Sequence, residues 1–261
     1  MANTIAILNF KGGVGKTTTA VNLADALRGY GKTCLVIDLD SQCSSTIILD
    51  SEKEVEPADT IYESMKDKTL APLCIFEHSK GLDFVASDKR MGDIDELLVG
   101  RSSKEHILER MIKPVKDEYD YIIIDCPPNR GVMTINAMVA SDSVLIPIDS
   151  KFMSLDGLNQ ITEKISEVKN DEFLNPNLKI LGFLLTRYNQ NLRIAKDVYN
   201  ALQTKFPSQI FNTKIRENTK VSEAPGYRCT IFEHDPSCAG AEDYLQLARE
   251  IGGIKPGSKW K

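Results

Sequence analysis

The sequence predicts an α/β protein built on a single doubly wound, mostly parallel sheet flanked by helices. Its 261 residues are 42% hydrophobic and 26% charged, which is enough apolar material for one large domain. A glycine-rich stretch at 11–18 stands between an apolar run at 4–10 and a segment of helical periodicity. Further short apolar runs typical of buried parallel strands occur at 33–38, 119–125, 143–148 and 179–186. We expect one domain over residues 1–261, with a polar tail from about residue 252.

The glycine-rich stretch reads Lys-Gly-Gly-Val-Gly-Lys-Thr-Thr. In a phosphate loop the glycines let backbone N–H groups face the β-phosphate, while Lys16 binds the β/γ oxygens and the Thr17 hydroxyl binds Mg²⁺. The following helix has an apolar stripe formed by Ala20, Leu23, Ala24 and Leu27. Strand, loop and helix in this order predict a P-loop NTPase fold, and the alternative is a glycine-rich turn without a ligand. The predicted nucleotide-binding residues of the loop are Lys11, Gly12, Gly13, Val14, Gly15, Lys16, Thr17 and Thr18.

Lys11 is unusual, because an ordinary phosphate loop does not require a lysine at its first position. Two lysines five residues apart around three glycines resemble the deviant Walker A motif of the ParA/MinD family of ATPases. The resemblance implies that the nucleotide is ATP and that Lys11 crosses a homodimer interface to touch the partner's nucleotide. Both Lys11 and Lys16 are therefore expected to be catalytic. Taken alone, Lys11 is also compatible with a solvated loop lysine.

The second predicted strand, 33–38, ends in two carboxylates, Asp38 and Asp40. Residues at i and i+2 point the same way in extended backbone, so both can face the phosphate and Mg²⁺. An ordinary polar strand end is the alternative. The corresponding stretch of the ParA family is a switch, and the resemblance implies that Asp40 positions or deprotonates the attacking water. Asp38 is then expected to support the Mg²⁺ hydration shell.

The switch also departs from the family pattern. The family usually has proline and glycine where this chain has Ser41 and Cys43. The two aspartates are retained, but the stiffness of the loop is put in question. We assign no chemistry to residues 51–115. Their sequence predicts helices at 60–65 and 104–112, a strand at 82–86 and a solvated loop at 52–56.

The run Tyr119 to Asp125 predicts a strand that ends in a carboxylate and is stopped by Pro127 and Pro128. Downstream of a phosphate loop, this is the Walker B arrangement, in which Asp125 reaches the Mg²⁺ shell. The predicted metal ligands are Thr17, Asp38 and Asp125. The second switch of the family follows, where Arg130 departs from the small or apolar residue that the family more often has. We assign it no role from the sequence.

The later half of the chain is expected to supply the base and DNA contacts. A helix is predicted at 153–168, and the strand 179–186 is followed by Asn189, which offers a donor and an acceptor to a base edge. Family resemblance places adenine contacts there and near Arg216 and Asn218, and we prefer Asn189 to Arg187. Basic residues in the same two regions imply DNA binding without sequence preference. These residues are Arg193, Lys196, Lys214, Arg216 and Lys220.

The alternative for each of these basic residues is that it lies on a solvent-exposed face and has no binding role. Asn191 and Glu217 stand where the family frequently has arginine, so the DNA prediction rests mainly on the resemblance. The stretches 221–225 and 235–245 resemble the C-terminal signature of chromosomal ParA proteins. A terminal helix is predicted with a packing stripe of Ala241, Leu245, Ala248 and Ile251.

Composition excludes several classes. The formal net charge of −5 argues against a wholly basic nucleic-acid binder, although it allows a basic patch. No apolar run approaches the length of a membrane span and no signal peptide is evident, so we expect a cytoplasmic protein. The six cysteines show no CxxC pair and are expected to be free thiols rather than ligands of an iron–sulfur cluster.

The favoured function is that of a ParA-type DNA-segregation ATPase. The resemblance implies an ATP-bound homodimer with Mg²⁺, nonspecific DNA binding at the nucleoid, and a ParB-like partner that stimulates hydrolysis. The chain begins at the first strand, so operator binding through a helix-turn-helix extension is not expected. One alternative is a MinD-like membrane-cycling ATPase, although the tail after Gly252 cannot form a basic amphipathic helix. Another is an ATP-dependent ligation enzyme related to dethiobiotin synthetase.

Overall fold

The computed structural model describes residues 1–67, 72–151, 155–255 and 258–260. Its strands are β1 (Asn3–Ile7), β2 (Cys34–Asp38), β3 (Phe76–Ser79), β4 (Leu82–Val85), β5 (Tyr121–Asp125), β6 (Ser143–Asp149) and β7 (Lys179–Thr186). They form one seven-stranded sheet in the order β3-β4-β2-β5-β1-β6-β7. Every neighbouring pair is parallel except β3 and β4. The predicted fold class, a mostly parallel sheet flanked by helices, is confirmed.

The α-helices are α1 (Lys16–Gly29), α2 (Ser44–Leu49), α3 (Ile61–Lys66), α4 (Ile94–Leu97), α5 (Ile107–Ile112), α6 (Val132–Ala140), α7 (Leu155–Asn170), α8 (Arg193–Lys205), α9 (Thr219–Glu223), α10 (Ile231–His234) and α11 (Ala239–Gly252). Short 3₁₀ helices lie at Lys89–Asp93, Lys104–His106 and Ala224–Tyr227. The helices divide between the two faces of the sheet. Helices α1, α10 and α11 contribute to one apolar layer and α4 to α8 to the other.

Helix α1 fixes the phosphate loop to the sheet. Its predicted stripe of Ala20, Leu23, Ala24 and Leu27 is fully buried in the layer shared with α11. Burying each leucine contributes about 1.5–3 kcal/mol relative to leaving it in water. The helix begins at Lys16, directly after the loop, and this packing therefore holds the N-terminus of α1 at the carboxyl edge of the sheet.

Strand register brings the acidic residues together. Asp38 at the end of β2 is paired with Asp125 at the end of β5, and Asp125 is also paired with Ile7 of β1. Because the three strands are parallel, their carboxyl ends meet at one edge. The phosphate loop leaves β1 at this same edge, so the predicted Mg²⁺ ligands lie beside it.

Several element boundaries differ from prediction. β1 ends at Ile7, before the apolar run ends, because the chain turns into the phosphate loop. The antiparallel edge strand β3 and helix α6 were not predicted. Lys220, which the sequence alone predicts to lie in a loop with Lys214 and Arg216, lies in α9. Met153, the predicted start of α7, lies outside the described residues, and the helix runs on to Asn170.

The C-terminal segment packs back onto the domain. In α11 the predicted Ala241 and Ala248 are buried, but Tyr244 and Leu247 replace Leu245 and Ile251 as the most buried large residues. Trp260 lies against α1 at Gly29, where a Cβ would come within 1.7 Å of its Nε1 atom. Its ring centroid is 4.9 Å from that of Phe232 in α10.

Candidate functional site

The glycine-rich loop has the backbone of an anion cradle. Gly13 and Gly15 have φ of 73° and 88°, a region that side chains other than glycine rarely adopt. Gly15 is the N-cap of α1 and no side chain caps the helix there. The first N–H groups of α1 are therefore available to an anion. Open space surrounds the Cβ position of Gly12 and Gly13, so the loop has room on that side.

Lys16 is held inside the loop. It is only 6% exposed, and its ammonium donates a hydrogen bond to the carbonyl of Lys11 at 3.3 Å. Burial lowers the pKa of Lys16, and the charges of Asp125 and Asp40 oppose this effect. A buried ammonium beside carboxylates and helix N–H groups suits a site for an anion bound together with a cation.

The two strand-end carboxyls differ in their hydrogen bonds. Asp38 accepts from the N–H of Asp40 at 3.0 Å and from the N–H and hydroxyl of Thr46 at 2.9 and 2.8 Å. Asp125 accepts from the Ser45 hydroxyl at 2.7 Å through Oδ2. Among the described residues its buried Oδ1 atom has no hydrogen-bond partner. Burial raises the pKa of both carboxyls, and the charge of Asp125 raises that of Asp38 further.

Asp40 is fixed by its own loop. Its carboxylate accepts from the N–H of Gln42 at 3.0 Å, and its carbonyl accepts from the hydroxyl of Ser87 at 2.8 Å and the N–H of Cys43 at 2.9 Å. The side chain is 8% exposed at the rim of the cleft. These bonds hold the loop although Ser41 and Cys43 stand where the resemblance noted in the sequence implies proline and glycine. Cys43 takes a left-handed conformation, with φ of 54°.

The phosphate loop with Lys16, together with Asp40, lines a cleft of about 650 Å³, whereas Asp38 and Asp125 are buried and are not among its lining residues. The phosphate loop and Asp40 form one side. The predicted contacts Arg216 and Asn218 lie on the other side, together with Arg187. Asn189 does not line this cleft but a neighbouring one of about 670 Å³. Arg187 thus lines the cleft of the phosphate loop, and Asn189, the preferred base contact, lines the neighbouring one.

Some lining residues were not singled out from the sequence. Thr186 is one of them: its hydroxyl donates to the carbonyl of Val14 at 2.9 Å and ties β7 to the phosphate loop. In the sequence, its position at the end of a predicted buried strand was the feature that could have identified it as a lining residue. Val221, Pro225 and Tyr244 also line the cleft. They come from C-terminal segments that approach the loop through tertiary packing, which local sequence patterns do not reveal.

Arg216 is fixed by acidic neighbours. Its guanidinium bonds to the carboxylates of Asp243, at 2.9 Å, and Glu242, at 2.8 Å, and its N–H donates to Asp243 at 2.8 Å. These two carboxylates hold the pKa of Arg216 above its usual value. Asn218 caps α9 by accepting from the N–H of Lys220 at 2.8 Å.

We refer to the five predicted DNA-binding residues, Arg193, Lys196, Lys214, Arg216 and Lys220, as the basic group. Its members are spread over two elements and a connecting segment. Arg193 is 95% exposed and lies 3.9 Å from Asp197, and Lys220 lies 2.9 Å from Glu223. The Lys214 ammonium lies over two aromatic rings, 4.7 Å from the Tyr199 centroid and 5.4 Å from that of Tyr188. Neighbouring acids thus offset much of the positive charge.

The residues present fit a nucleotide with Mg²⁺. An orphaned carboxylate oxygen on buried Asp125 and uncapped N–H groups at Gly15 provide partners for a cation and for phosphates. Within the described ranges no group of three or more His, Cys, Asp or Glu side chains could hold a metal ion by itself. Mg²⁺ is usually held by one or two carboxylates together with phosphate oxygens and water.

The fold and the cleft define a P-loop nucleotide-binding protein. A family profile described as an AAA domain matches residues 2–180. The chain is 38% identical to the chromosome partitioning protein ParA of Myxococcus xanthus over 248 residues, which is 95% of this chain and 87% of that protein. It is also 38% identical to the sporulation initiation inhibitor protein Soj of Bacillus subtilis over 253 residues, covering 96% and 98% of the two chains. The chain belongs to the ParA/Soj family of partitioning ATPases.

Solved structures show the same architecture. An ATP complex of a McdA variant from Cyanothece superposes with a TM-score of 0.83 at 25% identity and covers 97% of both chains. Cobyrinic acid a,c-diamide synthase from Mycobacterium smegmatis, with a bound ATP analogue and magnesium, gives a TM-score of 0.81 at 26% identity. That match covers 100% of this chain and 98% of the synthase. No helix in the described part of the chain is long and apolar enough to cross a membrane.

Proposed function

We propose that this chain is an ATP-hydrolysing DNA-segregation ATPase that works as an ATP-bound homodimer. The observation that carries the proposal is the shared edge of the sheet. There the phosphate loop and Asp40 line one cleft, and the buried carboxyls of Asp38 and Asp125 lie at the adjoining ends of β2 and β5, in a chain of the ParA/Soj family. The solved relatives with bound ATP or an ATP analogue support ATP as the nucleotide.

The loop residues have distinct tasks in this proposal. The N–H groups of the loop and of the first turn of α1 bind the phosphates, and the Lys16 ammonium uses its donors besides the bond to the Lys11 carbonyl to bind phosphate oxygens. Thr17 and Asp125 hold Mg²⁺, with Asp38 orienting the surrounding groups through its bonds to Thr46 and Asp40. When bound, Mg²⁺ neutralises phosphate charge.

Asp40 is the proposed base. Its carboxylate lies at the cleft and is oriented by the Gln42 N–H, so it can accept a proton from water while the loop stays in place. Lys11 lies at the exposed entry of the loop, and we propose that it reaches the nucleotide of a second copy. Arg187, Arg216 and Asn218 are the residues nearest to a base, with Asn189 as the neighbouring alternative.

The DNA step follows from the family and from the basic group. Dimerisation doubles the number of basic side chains that face one duplex, which favours binding to the phosphate backbone without sequence preference. A ParB-like partner then stimulates hydrolysis and releases the DNA, and the ATP-bound form is associated with the nucleoid. The relatives named for chromosome partitioning support this cycle.

Binding to a nonspecific duplex at one fixed salt concentration tests the proposal. The protein is assayed with ATP, with ADP and without nucleotide, alongside Lys16→Ala and Asp40→Ala. We expect ATP alone to promote binding, Lys16→Ala to abolish it and Asp40→Ala to prolong it. If no nucleotide state binds DNA, the segregation function is wrong. A liposome sedimentation assay with ATP then decides whether the MinD-like alternative replaces it.

A further inference from the structure

Arg130 connects three parts of the molecule around the nucleotide cleft. It lies in the exposed segment between β5 and α6, two residues after Pro128, which lines the cleft. Its guanidinium carbon lies 5.1 Å from the centroid of the Phe10 ring, within the range of a cation–π contact. The same guanidinium hydrogen-bonds the side-chain oxygen of Gln160 on α7. Arg130 therefore joins the loop after the Walker B strand to the entry of the phosphate loop.

Phe10 is the residue through which this contact reaches the loop. Its ring is half-buried and packs on the apolar layer of the sheet, leaving a surface that Arg130 covers. The backbone beside it is held by Asn9, whose Oδ1 accepts the N–H of Lys11 at 2.9 Å and whose Nδ2 donates to the carbonyl of Pro147 at 2.8 Å. Phe10 thus lies in the chain between Asn9, which is bonded to the carbonyl of Pro147, and Lys11.

The carbonyl of Lys11 is restrained differently from its N–H group. It accepts from the Lys16 ammonium at 3.3 Å, the group that also serves the phosphates. The ammonium has three donors, so it can bind an anion and keep its bond to the Lys11 carbonyl. Two of the restraints on Lys11 come from the preceding residues, namely the Asn9 bond and the packing of Phe10. Because Phe10 directly precedes Lys11, the position of its ring constrains the backbone from which the Lys11 side chain leaves the loop.

We propose that Arg130 is a positioning residue: by holding the Phe10 ring it fixes the direction in which Lys11 leaves the phosphate loop. This inference rests on the proposed function, in which Lys11 contacts the nucleotide of a second copy. Arg130 acts through Phe10 and has no task at the reacting atoms. Its loss weakens assembly of the ATP-bound dimer and leaves nucleotide binding by the monomer unchanged.

The test measures dimerisation by sedimentation velocity with Mg²⁺ and a non-hydrolysable ATP analogue, and nucleotide affinity by titration at protein concentrations where the chain is monomeric. Arg130→Ala raises the dimer dissociation constant about two- to fivefold, the value of one exposed cation–π contact. Phe10→Leu has the same effect, and the double variant is no weaker than either single one. Arg130→Lys keeps a cation over the ring and stays within about twofold of the unmodified protein.

Two further variants separate the possible failures. Gln160→Ala removes the α7 partner but not the ring contact, and we expect less than a twofold effect. Lys11→Ala abolishes analogue-dependent dimers; if it dimerises normally, the role of Lys11 and the proposal for Arg130 are both wrong. If Lys11→Ala fails to dimerise while Arg130→Ala dimerises normally, only the Arg130 proposal is overturned. Additive effects of Arg130→Ala and Phe10→Leu, or weaker nucleotide binding by Arg130→Ala, also overturn it.

Discussion

The nucleotide cleft and the basic group are built in opposite ways. On the phosphate-loop side of the cleft three adjacent parallel strand ends converge, and the carboxylates of Asp38, Asp40 and Asp125 are oriented by backbone or hydroxyl partners. In the basic group, long side chains lie on separate elements, and three of the five have a carboxylate within ion-pair distance. On the proposed function, the converging groups of the cleft hold the nucleotide in one fixed geometry. The dispersed and partly neutralised basic group is then expected to bind DNA weakly, so that doubling in a dimer can switch the binding.

The largest expected effect lies in the cleft, at Asp40. Asp40→Asn keeps the acceptor for the Gln42 N–H but removes the proposed base. We expect ATP turnover to fall at least about 100-fold, the usual contribution of general base catalysis. ATP affinity stays within about threefold, because the phosphate loop is untouched. Turnover by a phosphate-release assay and affinity by titration check the two parts separately, and turnover near that of the unmodified protein contradicts the role.

The same contrast explains what the sequence could predict. The phosphate loop, Asp38, Asp40 and Asp125 lie next to buried strands, so local patterns locate them and parallel pairing brings them together. The opposite side of the cleft is formed by segments that are distant in sequence, which local patterns do not locate; Arg187 lines this cleft, and Asn189 lines the neighbouring one. The partners of the basic group are acidic and aromatic side chains, and no sequence motif specifies which of them lie beside each basic residue.

A second prediction concerns His78, a residue outside the cleft that contacts the end of helix α2. Both ring nitrogens of His78 face acceptors, the carbonyl of Leu49 at the end of α2 and the carboxylate of Glu233 in α10. Only the imidazolium donates to both. Burial alone lowers the pKa of His78, but the bonds to Glu233 and Leu49 and the charge of nearby Asp25 outweigh it, so the pKa is raised.

Since the folded-state pKa is the higher one, the stabilisation is complete below the unfolded value of about 6.5 and is lost as pH rises through the folded value. We expect His78→Gln to lower stability by about 1–2 kcal/mol at pH 6, and by less at pH 8.5. Thermal melts of both proteins across this range measure the difference. A stability difference that does not change with pH contradicts the prediction that the His78 imidazolium donates to both acceptors.

His106 provides a matched control for this prediction. It too lies between two acceptors, the carboxylate of Glu109 at 2.8 Å and the carbonyl of Phe173 at 2.7 Å. Neither of these residues lines the nucleotide cleft, whereas α2, which His78 holds, directly follows the Asp40 loop. We therefore expect both glutamine variants to change the pH dependence of melting, and only His78→Gln to weaken ATP binding.

The third prediction concerns the basic group and is smaller. Lys196→Ala should weaken binding to a nonspecific duplex a few-fold and reduce the slope of log affinity against log salt by about one. Asp197→Asn releases Arg193 from its ion pair and should strengthen binding by about twofold or more. Titrations with ATP at several salt concentrations measure both. If neutralising Asp197 does not change affinity, the ion pair does not limit binding by this surface.

The smallest expected effect lies in the switch loop, where backbone strain rather than charge distinguishes this chain. Cys43 has φ of 54° and ψ of 32°, a left-handed conformation that costs a residue with a Cβ about 1–2 kcal/mol. Cys43→Gly removes this cost, but glycine also gains freedom in the unfolded chain, so the net stabilisation should be about 0.5–1 kcal/mol.

Cys43→Ala is the matched control, because it removes the thiol and its weak contact with the Ser41 carbonyl at 3.5 Å but keeps the Cβ. We expect no stabilisation from this variant. Thermal melts at one pH distinguish the two substitutions, since about 1 kcal/mol corresponds to roughly 2–4 °C in a chain of this size. Equal stabilisation by alanine and glycine would assign the cost to the half-buried thiol. A gain in stability with glycine alone shows that the loop beside Asp40 carries backbone strain. The expected DNA binding by the basic group, in contrast, varies with charge and not with backbone strain.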